Sequence, residues 1–227
     1  MATILNIETS TTVCSVAIGI NGKLCAAHEI NDGYSHAEQL EGLIEKSLVD
    51  AQLSIKDIDA ISVSKGPGSY TGLRIGVSLV KGLCYGLKIP MISVPTLEAM
   101  ANHPDVVGFG GLKVPMLDAR RMEVYTCVLN ADNSVKEETK ALVLESDSFE
   151  EILEQSQTVF FGPGMDKSKS LYADHSSVTF IDDVFPSARF MIPISEQKFL
   201  NENFEDVAYF EPFYLKDFVA GKPKKML

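Results

Sequence analysis

The sequence predicts an α/β protein of two lobes, each built on a mixed sheet. Three features predict it. Residues 3–30 alternate between short apolar runs and a tight turn, which is the pattern of an antiparallel meander. Residues 35–95 then interleave two helix-period stretches with apolar strands. A Gly/Pro-rich stretch at 102–112 precedes a looser β/α succession, dividing the chain into lobes at 1–106 and 107–227.

Residues 3–8 and 13–20 read as strands, and Asn21-Gly22 is a hairpin turn that returns the chain along 24–30. Ser35-His36-Ala37-Glu38 has the form of a capping box, with Ala37, Leu40, Ile44, Leu48 and Ala51 following at helical spacing. Glu38, Glu41, Glu45 and Asp50 fill the opposite face. Residues 59–64 form a strand, and 73–87 a helix that contains Gly76, Gly82 and Gly86, with Gly72 at its start. Each helical glycine costs about 0.5–1 kcal/mol relative to alanine, so four of them imply close backbone packing. A strand at 91–94 and a short helix from Leu97 to Ala101 complete this half. The second half reads as strands at 113–118 and 122–130, a helix near 147–155, strands at 158–161 and 178–181, and a helix over 187–203 that Pro193 should kink or break. No repeat of solenoid period is present.

The chain has 227 residues, 45% hydrophobic and 22% charged, which is ordinary for a globular protein. Twenty Lys and Arg face 31 Asp and Glu, a net charge of −11, which disfavours nucleic-acid binding by the chain alone. Lys222, Lys224 and Lys225 read as a solvated terminus. Cys14, Cys25, Cys84 and Cys127 show neither CxxC nor zinc-finger spacing and read as thiols of a reducing compartment. With no signal-peptide pattern and no run near the ~18 apolar residues of a membrane span, the expected location is cytoplasmic.

Two strings carry candidate chemistry. Glu8-Thr9-Ser10-Thr11 puts hydroxyls at a strand end, where they suit either a phosphate or a polar turn. Lys65-Gly66-Pro67-Gly68-Ser69-Tyr70-Thr71-Gly72-Leu73-Arg74-Ile75-Gly76 joins a strand to a helix. Taken alone it fits an anion cradle and a rigid elbow equally, and it lacks the P-loop pattern. His28, His36, His103 and His175 fall in different elements and make no ligand set. No nucleophile–base order stands out.

The strings GPGSYTGLRIG, ILNIETSTTVCSVAI, LDARRMEVY and EPFYLK resemble the TsaB (YeaZ) family. These are partner proteins in bacterial biosynthesis of threonylcarbamoyladenosine on tRNA. The resemblance implies the actin/Hsp70/sugar-kinase (ASKHA) fold with two related lobes. It implies pairing with a TsaD-type catalytic subunit, joined by a TsaE-type ATPase, with tRNA reached indirectly through the complex and no membrane. ATP and metal belong to the partners, no cofactor is bound by this chain alone, and the chain self-associates as a homodimer in isolation. Glu8, Thr9, Ser10 and Thr11, with Asp118, match a vestigial pair of phosphate loops. In the second, Ala119-Arg120-Arg121 stands where the fold carries glycines, and Gly162-Pro163-Gly164 matches either an adenosine loop or a plain turn. The metal-binding histidines of the catalytic relative fall on Thr96 and Met100, around a shared Leu97-Glu98. The implied function is a non-catalytic, activating subunit. The implied partner face is His36, Leu40, Ile44, Thr71, Gly72, Arg74, Ile75, Gly76, Leu79 and Leu83, with glycines 72, 76 and 82 allowing close approach. On that arrangement Gly76→Leu weakens pairing and spares the monomer. The alternatives are an ATP-binding phosphotransferase or ATPase of the same fold, and a metalloprotease.

Overall fold

The computed structural model describes residues 2–31 and 36–216. Ser35 of the expected capping box and the three tail lysines lie outside the described residues.

The first sheet opens as the hairpin signal requires. Strands β1 (Thr3–Glu8), β2 (Cys14–Ile20) and β3 (Lys23–Ile30) form an antiparallel meander. Its turn places Asn21 at φ 52° and Gly22 at φ 72°, the left-handed pair that such two-residue turns demand. Helix α1 (His36–Asp50) leads to β4 (Ala60–Gly66), helix α2 (Tyr70–Leu87) and β5 (Met91–Pro95). Both later strands join in parallel, giving the order β3-β2-β1-β4-β5.

The second sheet repeats this plan. Strands β6 (Leu112–Asp118), β7 (Glu123–Leu129) and β8 (Val135–Val143) form the meander, and β9 (Thr158–Phe161) and β10 (Val178–Ile181) add in parallel beside β6. Read from its edge, the order β8-β7-β6-β9-β10 is that of the first sheet element for element. The chain is therefore a duplicated unit, the two-lobed architecture that the actin-like resemblance implies. The duplication is of topology and has no solenoid period.

Helices α3 (Thr96–Met100) and α4 (Pro104–Val107) connect the sheets. The expected linker is thus partly helical. Pro104 occupies a first-turn position, where a missing N–H costs nothing, and His103 Nδ1 accepts from Asp105 N at 3.2 Å. Helices α5 (Glu150–Gln155) and α6 (Asp166–Tyr172) cover one face of the second sheet through Phe149, Ile152, Met165 and Tyr172. Helix α7 (Ala188–Leu200) runs on through Pro193 without breaking. A split at 106/107 assigns α7 to the second half of the sequence. Its Ala188, Met191 and Ile192 nevertheless pack on Ile4, Ala17 and Ile92 of the first sheet, opposite α1 and α2.

Between the lobes, Leu97, Met100 and Ala101 form one apolar cluster with Leu117, Cys127, Val159 and Phe161. Beside it Lys113 is fully buried, its Nζ donating to Val107 O at 3.1 Å, Ala131 O at 2.9 Å and Asn133 Oδ1 at 2.6 Å. Asn133 continues to Asn102, and Asn102 to Phe190 O in α7. One polar chain thus ties the β7–β8 turn to the helix that covers the other lobe.

Candidate functional site

The Gly66–Gly76 segment lies directly on the loop that follows β1. Added β-carbons on Gly68 and Gly72 would run into the carbonyl oxygens of Ser10 and Thr9, and one on Gly76 into Thr9 Oγ1. Ser69 N donates to Ser10 O at 2.6 Å, and Ser69 Oγ accepts from Gly72 N at 3.2 Å, capping an α2 that starts three residues ahead of the position that the apolar period predicts. From the other side, His36 Nε2 meets Thr11 O at 2.7 Å. The segment is an elbow, and the glycines let it close over Thr9-Ser10-Thr11. The backbone that could have cradled a phosphate is occupied by the protein's own loop.

Glu8 sits fully buried beneath this loop, its Oε1 accepting from Ser10 N at 2.6 Å. Burial pushes its carboxyl well up from 4.5, and hydrogen bonds from Ser10 and Ser64 only partly oppose that. Oε2 has no partner, and neither do the buried Thr9 Oγ1 and Thr96 Oγ1. A folded-state pKa above the unfolded value makes this group's contribution to stability complete below about pH 4.5. That contribution is lost as pH rises through the folded value. Urea titrations at pH 5 and pH 8 should therefore show a smaller loss of stability on raising pH in Glu8→Gln than in the unaltered chain.

The corresponding turn of the second lobe is closed differently. Asp118 Oδ1 accepts from Arg120 N at 2.6 Å and from Lys167 Nζ at 2.7 Å. Burial raises the Asp118 carboxyl, but the Lys167 ammonium and the Arg120 N–H outweigh it and hold it below the usual range. Arg120 (φ 73°) and Arg121 (φ 46°) themselves form the turn. Gly162, at φ 102°, lies on Met116 O, and Gly164 on the Leu117–Asp118 backbone. Gly162-Pro163-Gly164 thus stands to β6 as Gly66-Pro67-Gly68 stands to the end of β1.

Thr96 and Met100 are both fully buried, Met100 within the apolar cluster between the lobes. Cys127 beside them has its thiol pushed up to about 12 by burial and by the nearby Glu98. Among the described residues no three His, Cys, Asp or Glu side chains come together as metal ligands, and no helix is long and apolar enough to cross a membrane.

The ten residues of the expected partner face divide. Leu40 and Ile44 are buried in the core under α1, and His36 is buried against Thr11. Gly72 and Gly76 face Thr9, so their small size serves the chain's own loop, and Gly76→Leu would break the monomer instead of sparing it. Thr71 and Arg74 are exposed, while Ile75, Leu79 and Leu83 are half-buried. Open space surrounds Gly82 and Gly86, and Tyr85 between them is 82% exposed. Thr71, Ile75, Ser78, Gly82 and Tyr85 recur at three- and four-residue steps on one side of α2. Tyr85 was legible from that spacing beside Gly82.

Comparison with known proteins places this arrangement. The family model described as tRNA N6-adenosine threonylcarbamoyltransferase matches residues 32–209. The chain is 33% identical over 225 residues to the tRNA threonylcarbamoyladenosine biosynthesis protein TsaB of Escherichia coli, covering 96% of each. It is 34% identical over 161 residues to TsaB of Bacillus subtilis, covering 70% of this chain and 69% of that one. Two solved structures from Pseudomonas aeruginosa share the fold. One is described as an uncharacterized protein with similarity to peptidase YEAZ (TM-score 0.81, 22% identity, 95% of this chain and 100% of that one), the other as YeaZ (TM-score 0.77, 23% identity, the same coverage). With its sealed first loop, its duplicated sheets and a relationship that runs nearly end to end, the chain belongs to the TsaB family.

Proposed function

We propose that this chain is a non-catalytic subunit of threonylcarbamoyladenosine synthesis on tRNA, and that it binds and activates a TsaD-type catalytic subunit. The observation that carries this is the closure of the Thr9-Ser10-Thr11 loop by Gly68, Gly72 and Gly76, beside an α2 face left open at Gly82 and Tyr85. Chemistry on a phosphate needs backbone N–H groups free to approach it, and a metal site at the family's histidine positions needs ligands other than Thr96 and Met100. An open helix face with half-buried Ile75, Leu79 and Leu83 suits burial against another helix pair. In this reading ATP, metal and most tRNA contact come from the TsaD-type and TsaE-type partners, in the cytoplasm. In their absence the same face pairs with a second copy of the chain.

Depletion of the protein is expected to remove threonylcarbamoyladenosine from tRNA, and the chain is expected to co-purify with the TsaD-type protein of its organism. Unchanged nucleoside content refutes the role. Tight stoichiometric binding of Mg-ATP by the isolated chain in calorimetry would favour the phosphotransferase reading instead, and stoichiometric zinc in the purified protein the protease. Gly82→Arg, placed in open space, should not lower the melting temperature and should weaken pairing about tenfold or more by a binding titration.

A further inference from the structure

The C-terminal stretch Glu211–Lys216 runs from the end of β4, past the first turn of α2, to the second lobe. Phe213 N donates to Lys65 O at 2.7 Å, and Phe213 O lies against Gly66, where a β-carbon would come within 2.9 Å of it. The next ring, Tyr214, stacks on Tyr70 of α2 with centroids 4.9 Å apart. Lys216 then reaches the second lobe, pairing with Glu123 and lying 5.8 Å over the Tyr125 ring. Between the two tyrosines sits Arg74. Its guanidinium carbon is 4.1 Å from the Tyr70 centroid and 5.9 Å from that of Tyr214, and its Nε donates to the Tyr214 hydroxyl at 3.2 Å.

This is an unusual use of a cation in a chain with eleven more acidic than basic residues. Among the described residues no carboxylate forms an ion pair with Arg74, although the side chain is exposed. Lys81, the other cation of α2, spends its ammonium on Ala208 O and Phe210 O at 3.0 and 3.1 Å. Arg74 is thus stacked, fixed through Nε alone, and leaves the paired donor edge of its guanidinium for a planar acceptor. The side-chain freedom that ion pairing normally costs has already been surrendered to the two rings.

Resting on the pairing reading above, we propose that Arg74 is the charge anchor of the α2 face, taking a carboxylate side chain from the catalytic subunit, and that Tyr214 of the C-terminal stretch holds it aimed. A protein carboxylate fits better than a nucleic-acid phosphate because the chain is acidic and the other cation on this side of α2, Lys81, already gives its ammonium to Ala208 O and Phe210 O, which leaves one free fork where a phosphate backbone needs a run of cations.

Binding of the full-length chain to the TsaD-type protein of the same organism is measured between 50 and 500 mM salt. Arg74→Gln should lower affinity about tenfold at low salt and flatten its salt dependence, with an unchanged melting temperature. Arg74→Lys should recover only part of the loss, since it restores charge without the planar fork. Tyr214→Phe, which loses the hydroxyl and keeps the stack, should bind less tightly than the unaltered chain and more tightly than Tyr214→Ala. Equal affinity and equal salt dependence for Arg74→Gln and the unaltered chain overturn the proposal. So does a loss of tRNA retention by the assembled complex with protein pairing intact. Failure of the unaltered chain to bind the subunit at all is a different result, which removes the pairing reading and this anchor with it.

Discussion

Gly72→Ala should destabilise the chain by about 3 kcal/mol, read from the shift in a urea midpoint. Two effects oppose each other at this position. Alanine gains about 0.5–1 kcal/mol over glycine inside a helix. Against that, the new β-carbon would occupy the space of Thr9 O, a backbone atom at the end of a central strand. It cannot rotate away as a side-chain tip could, so α2 must lift from the loop, breaking the Ser69 N to Ser10 O bond as it goes. The same substitution about three and four turns along has the opposite sign. Gly82→Ala and Gly86→Ala meet open space and should each add about 0.5–1 kcal/mol. Four glycines in one helix thus serve two purposes, and a stabilising Gly72→Ala would mean that the elbow does not sit on the loop.

Lys113→Met is the second large effect. Methionine keeps most of the apolar stem but abandons three acceptors. An orphaned buried carbonyl costs about 1–3 kcal/mol. Val107 and Ala131 lie at the surface, so water can reach part of what is lost. A net loss of about 2–3 kcal/mol follows, again by denaturant titration. Asn133→Ala should reproduce part of it, because Asn133 carries the chain onward to Asn102 and α7.

The first lobe is largely legible in the sequence because its signals are local. Asn21-Gly22 dictates a turn type, Ser69 caps a helix, and apolar alternation marks β1 and β2. The second lobe is harder to read. Strand β8, with its sequence Val-Lys-Glu-Glu-Thr-Lys-Ala-Leu-Val, is a solvent-facing edge whose charges carry no apolar period, and it has no counterpart among the expected strands. The kink expected at Pro193 does not interrupt α7, because Met191, Ile192 and Ser195 on either side are buried against the first sheet and packing outweighs one missing hydrogen bond. The sealed loop was half visible. The glycines announce a close approach, but only the fold reveals that they approach Thr9 and Ser10 and not another protein. The duplication was written in the chain as Gly-Pro-Gly at 66–68 and again at 162–164, each with its first glycine at φ above 100°.

The placement of α7 also sets a timetable. Ribosomes add about 5–20 residues per second, and 92 residues lie between the end of β5 at Pro95 and the start of α7 at Ala188. The first sheet is therefore synthesised several seconds before the helix that covers its Ile4, Ala17 and Ile92. Until then one side of the nascent sheet stays bare, a natural target for chaperones. A message truncated after the fifth strand would yield an insoluble fragment instead of a working half.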